Sequence, residues 1–159
     1  MEALAEESQF FFSHLDSNKT VLEYGSGSST FQIAALCKRI VSVEHQPQWY
    51  NILLDNLPAN CDALLRTPNE KYEEGGVDDG SYEQFKNYVD APIKFAPFDI
   101  IFIDGRARVA CASICKSLGH KDTIIFIHDY NREQYKIAEE YLTQVSQIVS
   151  MSKFTIKYD

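Results

Sequence analysis

Two runs in the second half of the chain constrain its fold more than any other feature. Phe98-Asp99-Ile100-Ile101-Phe102-Ile103-Asp104 and Thr123-Ile124-Ile125-Phe126-Ile127-His128 are apolar almost without a break. A strand with one wet face alternates apolar and polar residues. A run without alternation belongs to a strand covered on both faces, as in a parallel sheet held between helical layers. Arg106–Leu118 lies between the two runs and reads as a helix, which gives the strand–helix–strand order of a parallel unit.

The same rhythm fills the first half. Residues 4–15 read as a helix with Phe10, Phe11, Phe12 and Leu15 on its apolar stripe. Thr20–Tyr24 reads as a strand. A helix capped by Ser28, Ser29 or Thr30 runs to about Arg39. Ile40–Glu44 is a second strand, Pro47 opens the next helix, and Cys61–Arg66 is a weaker third strand. After the two central runs, Arg132–Val145 reads as a helix. Ile148–Met151 and Phe154–Tyr158 close the chain as one strand or two. The expected architecture is α/β: a three-layer sandwich around a mostly parallel sheet, with an antiparallel C-terminal strand as an option, in one domain over 1–159.

Residues 67–97 interrupt the pattern with Pro68, Gly75-Gly76, Asp79-Gly80, Pro92 and Pro97, and with one helix expected at Tyr82–Val89. The stretch exceeds an ordinary connection in such a fold, which makes it a candidate insertion or lid. Tyr72, Tyr82, Phe85, Tyr88 and Phe95 supply aromatic surface there, for a substrate or for the core.

Charge narrows the partners. Fifteen Lys and Arg stand against 23 Asp and Glu, a formal net charge of −8. A surface that neutralises many phosphates needs the opposite balance, so the expectation is no nucleic-acid partner, although a local basic pocket remains open. No apolar run approaches the roughly 20 residues needed to cross a bilayer. The acidic N-terminus also lacks the basic start of a secretory signal. The chain reads as a soluble cytoplasmic protein without a membrane partner, and its oligomeric state stays open. Cys37, Cys61, Cys111 and Cys115 have neither zinc-type nor CxxC spacing, so they read as small buried hydrophobes without a disulfide.

In open α/β sheets ligands bind beyond the carboxyl ends of the strands. The first such end, Glu23-Tyr24-Gly25-Ser26-Gly27-Ser28-Ser29-Thr30, lets the backbone turn tightly and a ligand approach closely. Glu44 ends the second strand, 19 residues after Gly25, where a carboxylate can accept both hydroxyls of a ribose. Dinucleotide sites usually carry a third glycine where Thr30 stands. Glu23 would also repel a pyrophosphate, but it suits a ligand bearing an ammonium and a sulfonium.

These segments resemble the motifs of class I S-adenosylmethionine-dependent methyltransferases. Val21–Thr30 looks like the first motif and Val41-Ser42-Val43-Glu44-His45 like the second. Phe98–Gly105 looks like the fourth-strand motif of small members that continue Ile103-Asp104-Gly105-Arg106-Ala107-Arg108, and Ile125–Asp129 follows the fifth strand. The resemblance implies a Rossmann-like methyltransferase sandwich that binds S-adenosyl-L-methionine. It implies a cofactor site formed by Glu23, Tyr24, Gly25, Ser26, Gly27, Ser29, Thr30, Glu44, His45 and Asp104. Within it Glu23 would hold the methionine amino end, the two glycines would line the methionine portion, and Glu44 would take the ribose. The family's usual Asp or Asn after the third strand is replaced by Arg66-Thr67, which leaves the adenine contacts to Asn69 or to another residue of 67–97.

The acceptor side gathers at the fourth and fifth strand ends. Methyl transfer needs a positioned acceptor, and a hydroxyl acceptor must also lose a proton. The candidate catalytic residues are His128, Asp104, Asp129 and Arg106. His128 reads either as the base or as a hydrogen-bonded structural histidine. Asp104 either orients the cofactor or acceptor or caps the following helix. Arg106 either pairs with Asp104 and Asp129 or grips a substrate carboxylate or phosphate, and Arg108 reads as structural. Tyr130 either closes over the substrate or packs. Catechol-type relatives hold a divalent cation with an Asp after the fourth strand and an Asp-Asn pair after the fifth. Here Asn131 comes one residue late, so magnesium stays a secondary option and no metal ligand is assigned. Without a separate substrate domain, the expected activity is methylation of a small polar molecule, on oxygen. The alternative is a catalytically inactive protein that binds the cofactor or a partner.

Overall fold

The computed structural model describes residues 3–72 and 79–158. In chain order these form helix α1 (Ala5–Phe12), strand β1 (Thr20–Tyr24), α2 (Ser28–Leu36), β2 (Arg39–Glu44), α3 (Pro47–Asp55) and β3 (Cys61–Leu65). Next come α4 (Lys86–Asp90), a 3-10 helix (Ala91–Phe95), β4 (Ile100–Ile103), α5 (Arg108–Ser113), α6 (Cys115–Leu118) and β5 (Ile124–Ile127). A second 3-10 helix (Glu133–Glu140), β6 (Leu142–Ile148) and β7 (Met151–Ile156) complete the order.

The strands join in one seven-stranded sheet, β3-β2-β1-β4-β5-β7-β6. β1 to β5 pair in parallel, and β7 lies antiparallel between β5 and β6. The two apolar runs are neighbours in register: Ile100, Ile101, Phe102 and Ile103 face Ile124, Ile125, Phe126 and Ile127 one for one. Alternation along each strand then feeds two cores. On one face Ile100, Phe102 and Phe126 pack with Val21, Ile40, Ile33 of α2 and Phe11 of α1. The Phe11 ring lies 4.6 Å from that of Phe102 and stands edge-on to Phe126 at 5.0 Å. On the other face Ile101, Ile103, Ile125 and Ile127 pack with Tyr88, Cys111, Cys115 and Phe154. All four cysteines are buried and unbridged.

Several boundaries differ from the sequence reading, for local reasons. The helix expected over 132–145 stops at Glu140, and Leu142–Ile148 becomes β6. Thr143 and Ile148 are β-branched and pair with β7 more readily than they wind, with Val145, also β-branched, at a register shift between them. A two-residue turn, Val149-Ser150, closes this hairpin with Val149 at φ 54. A left-handed valine is strained, and the Glu7 carboxylate helps hold it by accepting both Ser150 N–H at 2.8 Å and Ser150 Oγ at 2.6 Å. Arg106–Leu118 splits into α5 and α6, and the helix from Ser28 ends at Leu36 because Arg39 opens β2.

In the 67–97 stretch, Gly75 and Gly76 lie outside the described residues. Of the remainder, Phe85, Tyr88 and Val89 are fully buried against β1 and β4, so this part forms the connection from β3 to β4 and helps build the core. Asn69, a candidate for adenine, clamps it: its N–H donates to Gln84 O and its Oδ1 accepts from Asn87 N–H, both at 2.8 Å.

Candidate active site

The strand order turns at β1, which has β2 on one side and β4 on the other, so the loops leaving β1 and β4 diverge and open a crevice above the sheet. Gly25 ends β1 at φ +98, and a Cβ on it would stand 2.7 Å from Asp104 O and 2.9 Å from Gly105 Cα. The two loops approach this closely only because glycine occupies that position. Here lies a cleft of about 310 Å³. Gly25, Ser26, Glu44, His45, Gln46 and Trp49 line it from the β1 and β2 ends, Asp104, Gly105, Arg106 and Arg108 from the β4 end, and Arg132 from beyond β5. Past His45 and Gln46 it adjoins a second hollow of about 460 Å³, lined also by Pro47, Thr67, Pro68 and Tyr72.

Glu44 is shaped by its neighbours. Its Oε2 accepts the N–H groups of His45 and Gln46 at 2.9 and 2.8 Å, and its Oε1 accepts Ser26 N–H at 3.0 Å. These bonds fix the carboxylate at the rim and tie the loop after β1 to that after β2. Gln46 and Trp49, which sequence reasoning missed, follow on α3 and its approach. Trp49 is 47% exposed.

Glu23 does not reach the cleft. It is fully buried and accepts hydrogen bonds from Ser29 Oγ at 2.7 Å, Thr30 Oγ1 at 2.5 Å and Ser42 Oγ at 2.8 Å. Burial pushes its carboxyl up to about 7, against the pull of the three hydroxyls. Ser29 and Thr30 turn inward with it, and Tyr24 is buried with its hydroxyl on Val89 O at 2.7 Å. Four of the ten residues expected at the cofactor therefore form the foundation beneath the site. Gly25, Ser26, Glu44, His45 and Asp104 line it, while Gly27 caps α2 beside them.

At the β4 and β5 ends a charged network surrounds Arg108. Its Nη1 lies 3.4 Å from Asp129 Oδ2 and 3.7 Å from Asp104 Oδ1, and it bonds His128 O. Its Nε donates to Gly105 O at 3.0 Å and stands 3.9 Å from Asp79. Asp79 also accepts Arg108 N–H at 2.7 Å and Tyr135 Oη at 3.1 Å, a clamp that no sequence motif announced. Burial works against the charge on Arg108, but Asp104, Tyr135, Asp79 and Asp129 overcome it and hold the guanidinium protonated. Arg106 sits apart from Asp104 and Asp129: its head lies 4.0 Å from Asp79 and over the Tyr72 ring.

His128 is buried between two carboxylates, with Nδ1 3.2 Å from Asp104 Oδ1 and Nε2 3.5 Å from Glu7 Oε1. Burial favours the neutral ring, yet Asp104, Asp129 and Glu7 together raise its pKa. His128 is 4% exposed and does not line the cleft, so the geometry sets it behind Asp104. Asp129, at φ 58, reaches the network from the turn after β5. Tyr130 packs, with its hydroxyl on Glu139 at 2.9 Å and its ring on Phe154. Ligand atoms of Asp104, His128 and Asp129 lie within 4.8 Å of one another, a spacing open to a cation. The Arg108 guanidinium already pairs with both of these carboxylates.

No family model and no curated protein matches the chain. Solved structures do. A methyltransferase-like protein from Silicibacter pomeroyi superimposes with a TM-score of 0.78 at 24% identity, over 99% of this chain and 88% of that one. An rRNA methylase from Streptococcus thermophilus gives 0.61 at 14%, over 94% and 93%. The N-methyltransferase NodS of Bradyrhizobium japonicum, solved with S-adenosylhomocysteine, gives 0.59 at 13%, over 96% and 87%. The fold is that of the class I S-adenosylmethionine-dependent methyltransferases.

Proposed function

We propose that this chain is an S-adenosylmethionine-dependent methyltransferase acting on the oxygen of a small polar acceptor. The observation that carries the reading is the meeting of Gly25, Glu44 and Asp104 at one cleft where the strand order turns. Two carboxylates there suit a cationic adenosyl donor and oppose a pyrophosphate. Glu44 Oε1 accepts from Ser26 N–H alone among the described residues, which leaves it room for a ribose hydroxyl. Gly25 and Ser26 form the wall for the methionine portion, and the adjoining hollow between His45 and Tyr72 takes the base.

The bound donor supplies a methyl group on a positive sulfur, open to in-line displacement. The protein's part is to align the acceptor, exclude water and receive one proton. Asp104 fills the last role, being the carboxylate that borders the cleft, while His128 orients it from behind. Arg108 supplies fixed positive charge beside Asp104 and Asp129.

Trp49 is the one tryptophan in the chain and lines the cleft, so its fluorescence reads occupancy directly. S-adenosylhomocysteine should quench or enhance it saturably and NADH should not. Glu44→Gln should weaken that binding about tenfold or more, as expected for a lost hydrogen bond to a charged acceptor. NADH binding in place of S-adenosylhomocysteine would defeat the proposal.

A further inference from the structure

The chain contains five arginines, and three of them, Arg106, Arg108 and Arg132, line one cleft. In a protein of net charge −8 such a concentration calls for an account. Arg108 has one already: it is buried, and Asp79, Asp104 and Asp129 surround it.

The other two are held differently. Arg106 keeps 28% of its side chain exposed; its ion pair with Asp79 is long, at 4.0 Å, and its head stacks 5.4 Å from the Tyr72 ring centroid. Stacking steadies the plane of a guanidinium while leaving its N–H edge available. Arg132 is 50% exposed, 3.6 Å from Asp129 and 3.5 Å from Tyr135 Oη. The aspartates beside them, Asp79 and Asp129, are shared with Arg108, so neither surface arginine has a carboxylate to itself among the described residues.

We infer that the acceptor is an anion whose carboxylate or phosphate is held by Arg106 and Arg132 in this cleft. The inference rests on the proposed function, because the β1 and β2 side of the cleft must hold the adenosyl donor for these arginines to meet the acceptor. Two partly exposed guanidinium forks match the oxygens of a planar or tetrahedral oxyanion. A cationic patch at the mouth of a cleft also draws an anion into an otherwise acidic protein.

The test titrates the full chain, saturated with S-adenosylhomocysteine, with benzoate, phenyl phosphate and neutral benzamide, read by calorimetry and Trp49 fluorescence. At least one anion should bind and benzamide should not, and the preferred anion separates carboxylate from phosphate recognition. Arg106→Gln and Arg132→Gln should each weaken the anion about tenfold or more, with Arg106→Lys in between, while S-adenosylhomocysteine binds as in the parent. The proposal is overturned if benzamide binds as well as benzoate, or if neither anion binds. It is equally overturned if the Gln variants lose S-adenosylhomocysteine and anion together, which would assign the arginines to the donor's own carboxylate. Should S-adenosylhomocysteine not bind the parent, the methyltransferase reading falls, and the same titrations on the bare protein still decide whether this cleft takes anions.

Discussion

The His128 Nδ1 atom lies 3.2 Å from Asp104 Oδ1, and this contact places the imidazole behind a carboxylate that borders the cleft. The ring's other nitrogen points toward Glu7, and although burial opposes the charge, the surrounding carboxylates raise its pKa and favour the cation that donates to Asp104. His128→Asn keeps a donor near Nδ1 but removes the titration. The rate against pH should therefore lose the alkaline limb that follows His128 deprotonation. The sign follows from the raised pKa: the orienting charge is complete at low pH and disappears as pH rises through the folded-state value. An unchanged alkaline limb in the variant would remove His128 from this role.

Stability should also fall from mildly acidic to mildly basic pH. Glu23 has its folded pKa raised to about 7 from 4.5, so between those values the unfolded chain releases a proton that the folded chain retains. Folded stability declines across that window by about 3 kcal/mol at most. His128, also raised, adds stability below its unfolded value that is lost as pH rises through the folded one. Glu7 acts oppositely. Burial disfavours its charge, but hydrogen bonds from Ser150 and Leu4 and the charge of His128 lower its pKa, so its contribution is present above 4.5 and lost in acid. Urea midpoints should peak between about pH 4.5 and 6.5. Glu23→Gln should flatten the decline toward pH 8, and a slope equal to the parent's would refute the account.

Arg108→Met tests the charged network. Removing one member of a buried ionic cluster leaves the others uncompensated, which costs about 3–5 kcal/mol. Here Asp79, Asp104 and Asp129 would face one another without their shared cation. Adding Asp129→Asn should recover part of the loss, because the two positions are in contact and their effects do not add. Independent, additive losses in chemical unfolding would show that the cluster is not coupled.

The sheet was legible because its signal is local: the unbroken apolar runs at 98–104 and 123–128 could only be covered strands, and they pair in register. Gly25, Glu44 and Asp104 were legible for a related reason, since strand ends converge in any sheet of this kind. Glu23 shows where the reading stopped. Its place two residues before the glycine marked it as important, but whether a side chain on β1 faces ligand or core depends on Ser42, a residue of another strand. Asp79 and Glu7 were invisible for the same reason. Each acts across a long sequence separation, on Arg108 and on Ser150, and nothing in the acidic stretches around them marks a partner. The helix misplaced at 132–145 reflects apolar spacing at Ala138, Leu142 and Val145 that mimics a helical face, yet Val145 is 53% exposed on an edge strand.

Gly25 and Gly27 look equivalent in the motif and differ in the structure, which gives the most selective test of the cleft. Gly25 is at φ +98, and an added Cβ would meet the backbone of Asp104 and Gly105. Gly27 is extended, at φ −176, a conformation open to any residue. Gly25→Ala should therefore cost about 2–4 kcal/mol from the left-handed backbone and the clash combined, and it should abolish S-adenosylhomocysteine binding by forcing the β1 and β4 loops apart. Gly27→Ala should cost no more than about 1 kcal/mol. Urea unfolding and the Trp49 signal measure both effects on the same samples. If Gly25→Ala binds as the parent does, the close approach of Gly25 to Asp104 does not shape the ligand site.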